Sequence, residues 1–122
     1  MSQAKTILYV EDDADSSLLM KTLLKAEGYD VKTCATSEKG LQLAQAGGLS
    51  AIILDHWLAD VSGIEICKKI RTYDRTTPII FYSGAAFPQD QRAGIEAGAQ
   101  AYLVKPNDFG NIVVTLKRLI MS

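Results

Sequence analysis

Cysteine is scarce. Only Cys34 and Cys67 occur in the 122 residues, and their spacing fits no metal-binding or redox pattern. Both are expected to be buried, reduced thiols of a cytosolic protein. Long apolar runs are lacking as well. The longest, such as Ala51-Ile52-Ile53-Leu54, are about four residues, where a membrane span needs roughly 18. The opening residues, Met1-Ser2-Gln3-Ala4-Lys5, show no basic stretch followed by an apolar one, so no secretory leader is expected and the location is read as cytoplasmic. Neither charge is in excess: 13 Lys and Arg stand against 14 Asp and Glu, for a formal net charge of −1. That balance argues against nucleic acid or a membrane surface as partner. No linker, repeat or low-complexity segment interrupts the chain. The glycines that would cradle a nucleotide phosphate after a first strand are missing too; acids stand there instead.

What is present is the composition of a folded domain. Apolar residues make up 48% and charged residues 22%, which excludes disorder. The length fits one domain over residues 1–122. Short apolar runs alternate with amphipathic stretches. Thr6 to Val10, Asp30 to Cys34, Ala51 to Leu54, Pro78 to Tyr82 and Ala101 to Val104 read as strands, the second weaker than the rest. Between and after them, apolar residues recur at helical spacing: Leu19, Met20, Leu23 and Leu24; Leu41 and Ala44; Ile66, Cys67 and Ile70; and Phe109 through Ile120. Gln89 to Ala97 reads as a short polar helix ending at Gly98. Asp13 or Asp15 is expected to cap the first helix, and Ser37 the second. Gly28 and Gly47-Gly48 are expected to stop them. Five strands alternating with five helices predict an α/β fold, a parallel sheet covered on both faces. Ligands of such sheets bind beyond the carboxyl ends of the strands.

The chemically capable residues stand at those ends. Glu11, Asp12 and Asp13 follow the first strand, Asp55 the third, Ser83 the fourth and Lys105 the fifth. Carboxylates gathered in one place repel one another. A hard divalent cation relieves the conflict, and carboxylate oxygens suit Mg2+. A lysine adds compact positive charge for a phosphate, and a hydroxyl can donate to a phosphate oxygen. One carboxylate remains as a nucleophile able to form an aspartyl phosphate. The set suits phosphoryl transfer, where catalysis is largely positioning and charge stabilisation.

Here the chain resembles the response regulator receiver domain family of two-component signalling. The resemblance runs from Thr6 to Ile120. It is carried by Ile7-Leu8-Tyr9-Val10-Glu11-Asp12-Asp13, by Ile53-Leu54-Asp55 through Gly63, by Ile79-Ile80-Phe81-Tyr82-Ser83-Gly84-Ala85, and by Gly98-Ala99-Gln100-Ala101-Tyr102-Leu103-Val104-Lys105-Pro106. It implies a flavodoxin-like five-stranded sheet in the order 2-1-3-4-5. It implies that Asp55 is the phosphoacceptor and that Mg2+ is the cofactor. The metal would be held by Asp12, Asp55 and the Trp57 backbone carbonyl, with Glu11 acting through a water. Lys105 would pair with Asp55 and then with the phosphoryl group. Ser83 would move to hydrogen-bond that group, and the ring of Tyr102 would turn inward as it does. Gly63 would serve the turn into the third helix.

Four departures from the family pattern stand out. Glu11 replaces the usual aspartate, which a water-mediated role tolerates. Ala59 stands where a proline is common, and since alanine does not fix φ, the loop is expected to be less rigid. Ser83 replaces threonine, and Gly84 after it is expected to cost order. The bulk of Trp57 beside an acyl phosphate is expected to hinder the attacking water and lengthen the phosphorylated state; packing on the loop surface is the plainer role. His56, next to Asp55, is read as an ordinary loop residue that points away from Asp55's direction.

The expected function is a phosphoacceptor switch. A histidine kinase or histidine phosphotransfer protein would donate the phosphoryl group. The fourth helix, fifth strand and last helix would then present the altered surface to a protein partner. Such a protein catalyses its own phosphorylation and dephosphorylation but turns over no metabolite. If the chain is complete, output is by protein contact; if it is an excised domain, the rest of the protein carries the output. Two alternatives are an unphosphorylated binding module of the same fold and a small phosphohydrolase with Asp55 as nucleophile. The second would need an acid–base group two residues on, where Trp57 stands.

Overall fold

In the computed structural model, which describes residues 4–121, the chain alternates strand and helix throughout. The strands are β1 (Thr6–Val10), β2 (Asp30–Cys34), β3 (Ala51–Leu54), β4 (Ile79–Ser83) and β5 (Ala101–Val104). The helices are α1 (Ala14–Ala26), α2 (Ser37–Ala46), α3 (Gly63–Arg71), α4 (Pro88–Glu96) and α5 (Ile112–Met121). All strand pairs are parallel, and the sheet order is β2-β1-β3-β4-β5, as the resemblance implied. The chain leaves β1 toward one edge and returns to β3 on its other side. The crevice this reversal opens lies at the carboxyl ends of β1 and β3.

The period-2 alternation of side chains divides the core in two. Ile7, Tyr9, Ala51, Ile53, Ile80 and Tyr82 face α1 and α5, where Met20, Leu24, Ile112 and Leu116 meet them. Leu8, Val10, Ile52, Leu54, Ile79 and Phe81 face the other layer, against Ala44, Ile66, Cys67 and Ile70. Every residue of β3 and β4 is buried, whereas edge strand β2 keeps Asp30 and Lys32 in solvent, which explains its weaker pattern.

Local details depart from the sequence reading in four places. Thr36, not Ser37, caps α2 by accepting from the Lys39 amide; Ser37 N–H and Oγ instead bond Asp60 at 3.1 and 2.6 Å. Leu19 faces solvent, because only Met20 and Leu24 of its group are fully turned to the sheet. Phe109–Asn111 form a 3-10 turn, so α5 begins only at Ile112. Ser83 is the last residue of β4 rather than a residue beyond it. Asp13 caps α1 as expected, accepting from Ser16 N–H at 2.8 Å. Gly28, Gly47 and Gly48 have positive φ at the ends of α1 and α2, where a Cβ would be strained. Cys34 is half-buried and Cys67 buried; both are free, and burial pushes each thiol up to about 11. Among the described residues, no helix is long and apolar enough to cross a membrane.

Candidate functional site

The ends of β1, β3, β4 and β5 bring Glu11, Asp55, Ser83 and Lys105 into one contact. Each follows or closes a strand whose neighbours are fixed by the parallel register, so the sheet itself sets their spacing. Lys105 Nζ lies 2.8 Å from Asp55 Oδ2 and 2.8 Å from Glu11 Oε1. Ser83 Oγ donates to Asp55 Oδ1 at 2.8 Å, and the Trp57 amide donates to the same oxygen at 3.1 Å. Asp55 is therefore engaged on both oxygens. The Lys105–Pro106 peptide bond is cis.

The site is deep. Glu11 is 3% exposed, Asp55 8% and Ser83 1%. Burial pushes the Glu11 carboxyl up to about 7, reinforced by the neighbouring Asp55 carboxyl and only partly offset by Lys105. Burial also pushes on Asp55, but its neighbours Glu11, Lys105 and Ser83, and the charge of Lys105, hold it below the ordinary value. Lys105 loses some of its charge preference to burial, yet Asp55 and Glu11 together raise it. The two carboxyls share one lysine, and the surroundings push them apart: burial favours the neutral form at Glu11, while Lys105 and Ser83 favour the charged form at Asp55.

The other expected residues lie around this contact. Asp12 is exposed and its Oδ2 accepts from the Ala59 amide at 2.8 Å. The Trp57 ring is 63% exposed and lies 4.7 Å from the His56 ring. Gly63 opens α3 against the Asp55 backbone, whose carbonyl oxygen occupies the space a Cβ would need. Tyr102 stacks on Phe81 and donates to the Ala85 carbonyl at 2.7 Å. In this structure Ser83 contacts Asp55 directly, and the Tyr102 ring is half-buried against Phe81. Gly84 has ordinary backbone geometry and open space where a Cβ would go, so nothing at that position requires glycine.

The donor set fits a hard cation in one respect: Glu11 Oε2 is buried and has no hydrogen-bond partner, an acceptor left without a donor. No group of three or more His, Cys, Asp or Glu forms a ready cage among the described residues. Mg2+ does not need one, because it takes one or two carboxylates and keeps waters.

Sequence reasoning took His56 for an ordinary loop residue, and the structure corrects this. His56 is 4% exposed, and its Nδ1 lies 2.9 Å from the Tyr102 hydroxyl. The signal was available in the alternation: position 56 continues the parity of Ile52 and Leu54, whose face packs under helices. Asp60, which anchors the start of α2, had no comparable signal, because the contact joins positions 23 apart.

The family model of the response regulator receiver domain matches residues 7–117. Response regulator ArlR of Staphylococcus saprophyticus is 33% identical over 114 residues, 93% of this chain and 51% of that protein. ArlR of Staphylococcus aureus is 34% identical over 114 residues, 93% of this chain and 52% of that protein. The chain spans about half the length of these relatives. Among solved structures, the receiver domain of sensor histidine kinase PA1611 from Pseudomonas aeruginosa, with magnesium in its active site cleft, superposes with a TM-score of 0.90 at 28% identity, covering 98% of this chain and 100% of that one. Chemotaxis protein CheY4 of Vibrio cholerae gives 0.89 at 28% identity, covering 96% and 99%.

Proposed function

The chain belongs to the response regulator receiver domain family, and from that premise we propose that Asp55 is the phosphoacceptor of a signalling switch spanning residues 1–122. The observation that carries this reading is the grip on Asp55: Lys105 on one oxygen, Ser83 and the Trp57 amide on the other. A histidine kinase or histidine phosphotransfer protein is the donor. An Asp55 carboxylate oxygen forms the new bond to phosphorus while the nitrogen–phosphorus bond of the donor breaks and the donor's imidazole leaves.

The residues do three things in this step. Lys105, already within 2.8 Å of Asp55, supplies a fixed positive charge where the phosphoryl oxygens gather. Ser83 donates its hydroxyl hydrogen at the same place. Burial of the site excludes water and strengthens both contacts. Asp12, Asp55 and the Trp57 carbonyl would hold Mg2+, with Glu11 acting through a water; the PA1611 receiver domain, similar in fold, carries magnesium in its active site cleft. When bound, the metal supplies charge that offsets the crowded carboxylates. The phosphoryl group adds charge of about −1.5 to −2, if it behaves as the phosphoesters do. Ser83 and Tyr102 convey it to α4, β5 and α5, the face read by a protein partner. The chain modifies and restores itself but turns over no metabolite.

Intact-mass measurement after incubation with acetyl phosphate tests this. The expected result is a gain of one phosphoryl group that requires Mg2+ and is lost in Asp55→Asn. A gain that persists in Asp55→Asn, or no gain with the metal present, would overturn the reading.

A further inference from the structure

Tyr102 occupies a slot built by four elements. Its ring stacks on Phe81 with centroids 5.4 Å apart and planes 19° from parallel. The backbone of Gly94 comes so close that a Cβ there would lie 2.7 Å from the Tyr102 ring carbon Cδ2. The Tyr102 hydroxyl lies 2.7 Å from the Ala85 carbonyl oxygen and 2.9 Å from His56 Nδ1. A carbonyl only accepts, so the single phenolic hydrogen belongs to Ala85. The second contact is then determined. His56 Nδ1 carries a hydrogen and donates it to Tyr102 Oη.

We infer that His56 is a positioning residue for the switch: its Nδ1–H holds Tyr102 in the inward slot and thereby ties the residue after the phosphoacceptor to the β4–α4 loop. The inference rests on the reading of Asp55 and Tyr102 given above. Its physical basis is a chain of shared atoms. Ser83 Oγ donates to Asp55 Oδ1 and accepts from the Ala85 amide at 3.2 Å. Ala85 is thus held through its amide by Ser83 and through its carbonyl by Tyr102. If Tyr102 swung out, Ala85 would lose one hold, and His56 would be left with a donor facing no acceptor. At 4% exposure, water does not readily replace the lost partner. By reciprocity, whatever favours the inward tyrosine favours the Ser83–Asp55 contact to the same degree.

Three variants separate this from a packing role. His56→Leu keeps apolar bulk and removes the donor. His56→Asn puts an amide N–H close to where Nδ1 stood. Tyr102→Phe removes only the hydroxyl. The readouts are the initial rate of phosphorylation by acetyl phosphate and, by calorimetry, Mg2+ affinity. His56→Leu and Tyr102→Phe are each expected to slow phosphorylation about five-fold, the factor equivalent to losing about 1 kcal/mol. His56→Asn should return to within about two-fold of wild type, and the His56→Leu/Tyr102→Phe pair should be no slower than either single variant. Mg2+ affinity should stay unchanged in all of them.

Equal slowing in His56→Asn and His56→Leu, multiplying effects in the pair, or weakened Mg2+ binding would overturn the inference. So would long-range nitrogen–proton spectra of the wild-type imidazole with the hydrogen on Nε2 alone. Those spectra need no phosphorylation and no folded variant, so they decide the His56–Tyr102 bond even if Asp55 takes up no phosphoryl group.

Discussion

The backbone amide of Ala59 donates to Asp12 Oδ2 at 2.8 Å, a bond that a proline at position 59 would have no hydrogen to make. The departure from the family pattern therefore has a second consequence beside the loss of a fixed φ. It occupies one oxygen of the acid proposed as a direct metal ligand. Ala59→Pro is expected to free Asp12 and tighten Mg2+ binding about five-fold, the effect of removing one competing hydrogen bond to an exposed carboxylate. Calorimetric titration of both forms with Mg2+ checks this; unchanged or weaker binding contradicts it.

Stability should carry the mark of the Glu11 proton. Burial and Asp55 raise this carboxyl from 4.5 to about 7. Between those values the folded chain holds a proton that the unfolded chain has released. Stability from this group is therefore highest at the acid end of the window and falls as pH rises through it, by at most about 1.4 kcal/mol per pH unit. Asp55 acts in the opposite sense and lower on the scale: its depressed pKa adds stability above the ordinary carboxylate range that is lost as pH falls through the folded value. Urea denaturation from pH 4.5 to 7 should show the downward slope in the wild type and a flatter one in Glu11→Gln. Identical slopes would show that the proton does not sit on Glu11.

Two glycines beside the site should respond oppositely. At Gly63 a Cβ meets the Asp55 carbonyl oxygen, part of the backbone that positions the proposed phosphoacceptor. Gly63→Ala is expected to cost about 3 kcal/mol or more, because no side chain is there to yield. At Gly84 the space is open and φ is not positive. Gly84→Ala is expected to gain about 0.4–1 kcal/mol by restricting the unfolded chain. Thermal or urea unfolding of both variants measures the contrast, and a stabilised Gly63→Ala would refute the close approach.

Trp57 is 63% exposed, its amide bonds Asp55 Oδ1, and its ring lies 4.7 Å from that of His56. An apolar bulk there should obstruct the water that hydrolyses an acyl phosphate. Trp57→Asn is expected to lose its phosphoryl group several-fold faster, followed as the decay of the phosphorylated mass after the donor is removed. Equal or slower decay in the variant would assign Trp57 to loop packing alone.

Much of the site was legible because strand ends are legible. Glu11, Asp55, Ser83 and Lys105 each stand at the end of an apolar run, and a parallel sheet carries all such ends to one rim. His56 was not, because a single polar residue after a strand carries no sign of its partner. Tyr102 lies 46 positions away, and only the stacking of β3, β4 and β5 brings the two together. The same holds for Ala59. Its missing proline was visible, but the acid that uses its amide lies 47 positions away on another loop.

The amino-acid pattern by itself determined the α/β alternation, both buried faces of the sheet and the rim where the chemistry gathers, since all three follow from local periodicity and turn residues. Only the tertiary structure decided which oxygen each donor takes, that Ser83 bonds Asp55 while Tyr102 stacks on Phe81, and that Glu11 lies deep enough for burial to push its carboxyl up. Those outcomes depend on distances of a few ångströms and on burial between residues far apart in the chain, and no local pattern encodes either.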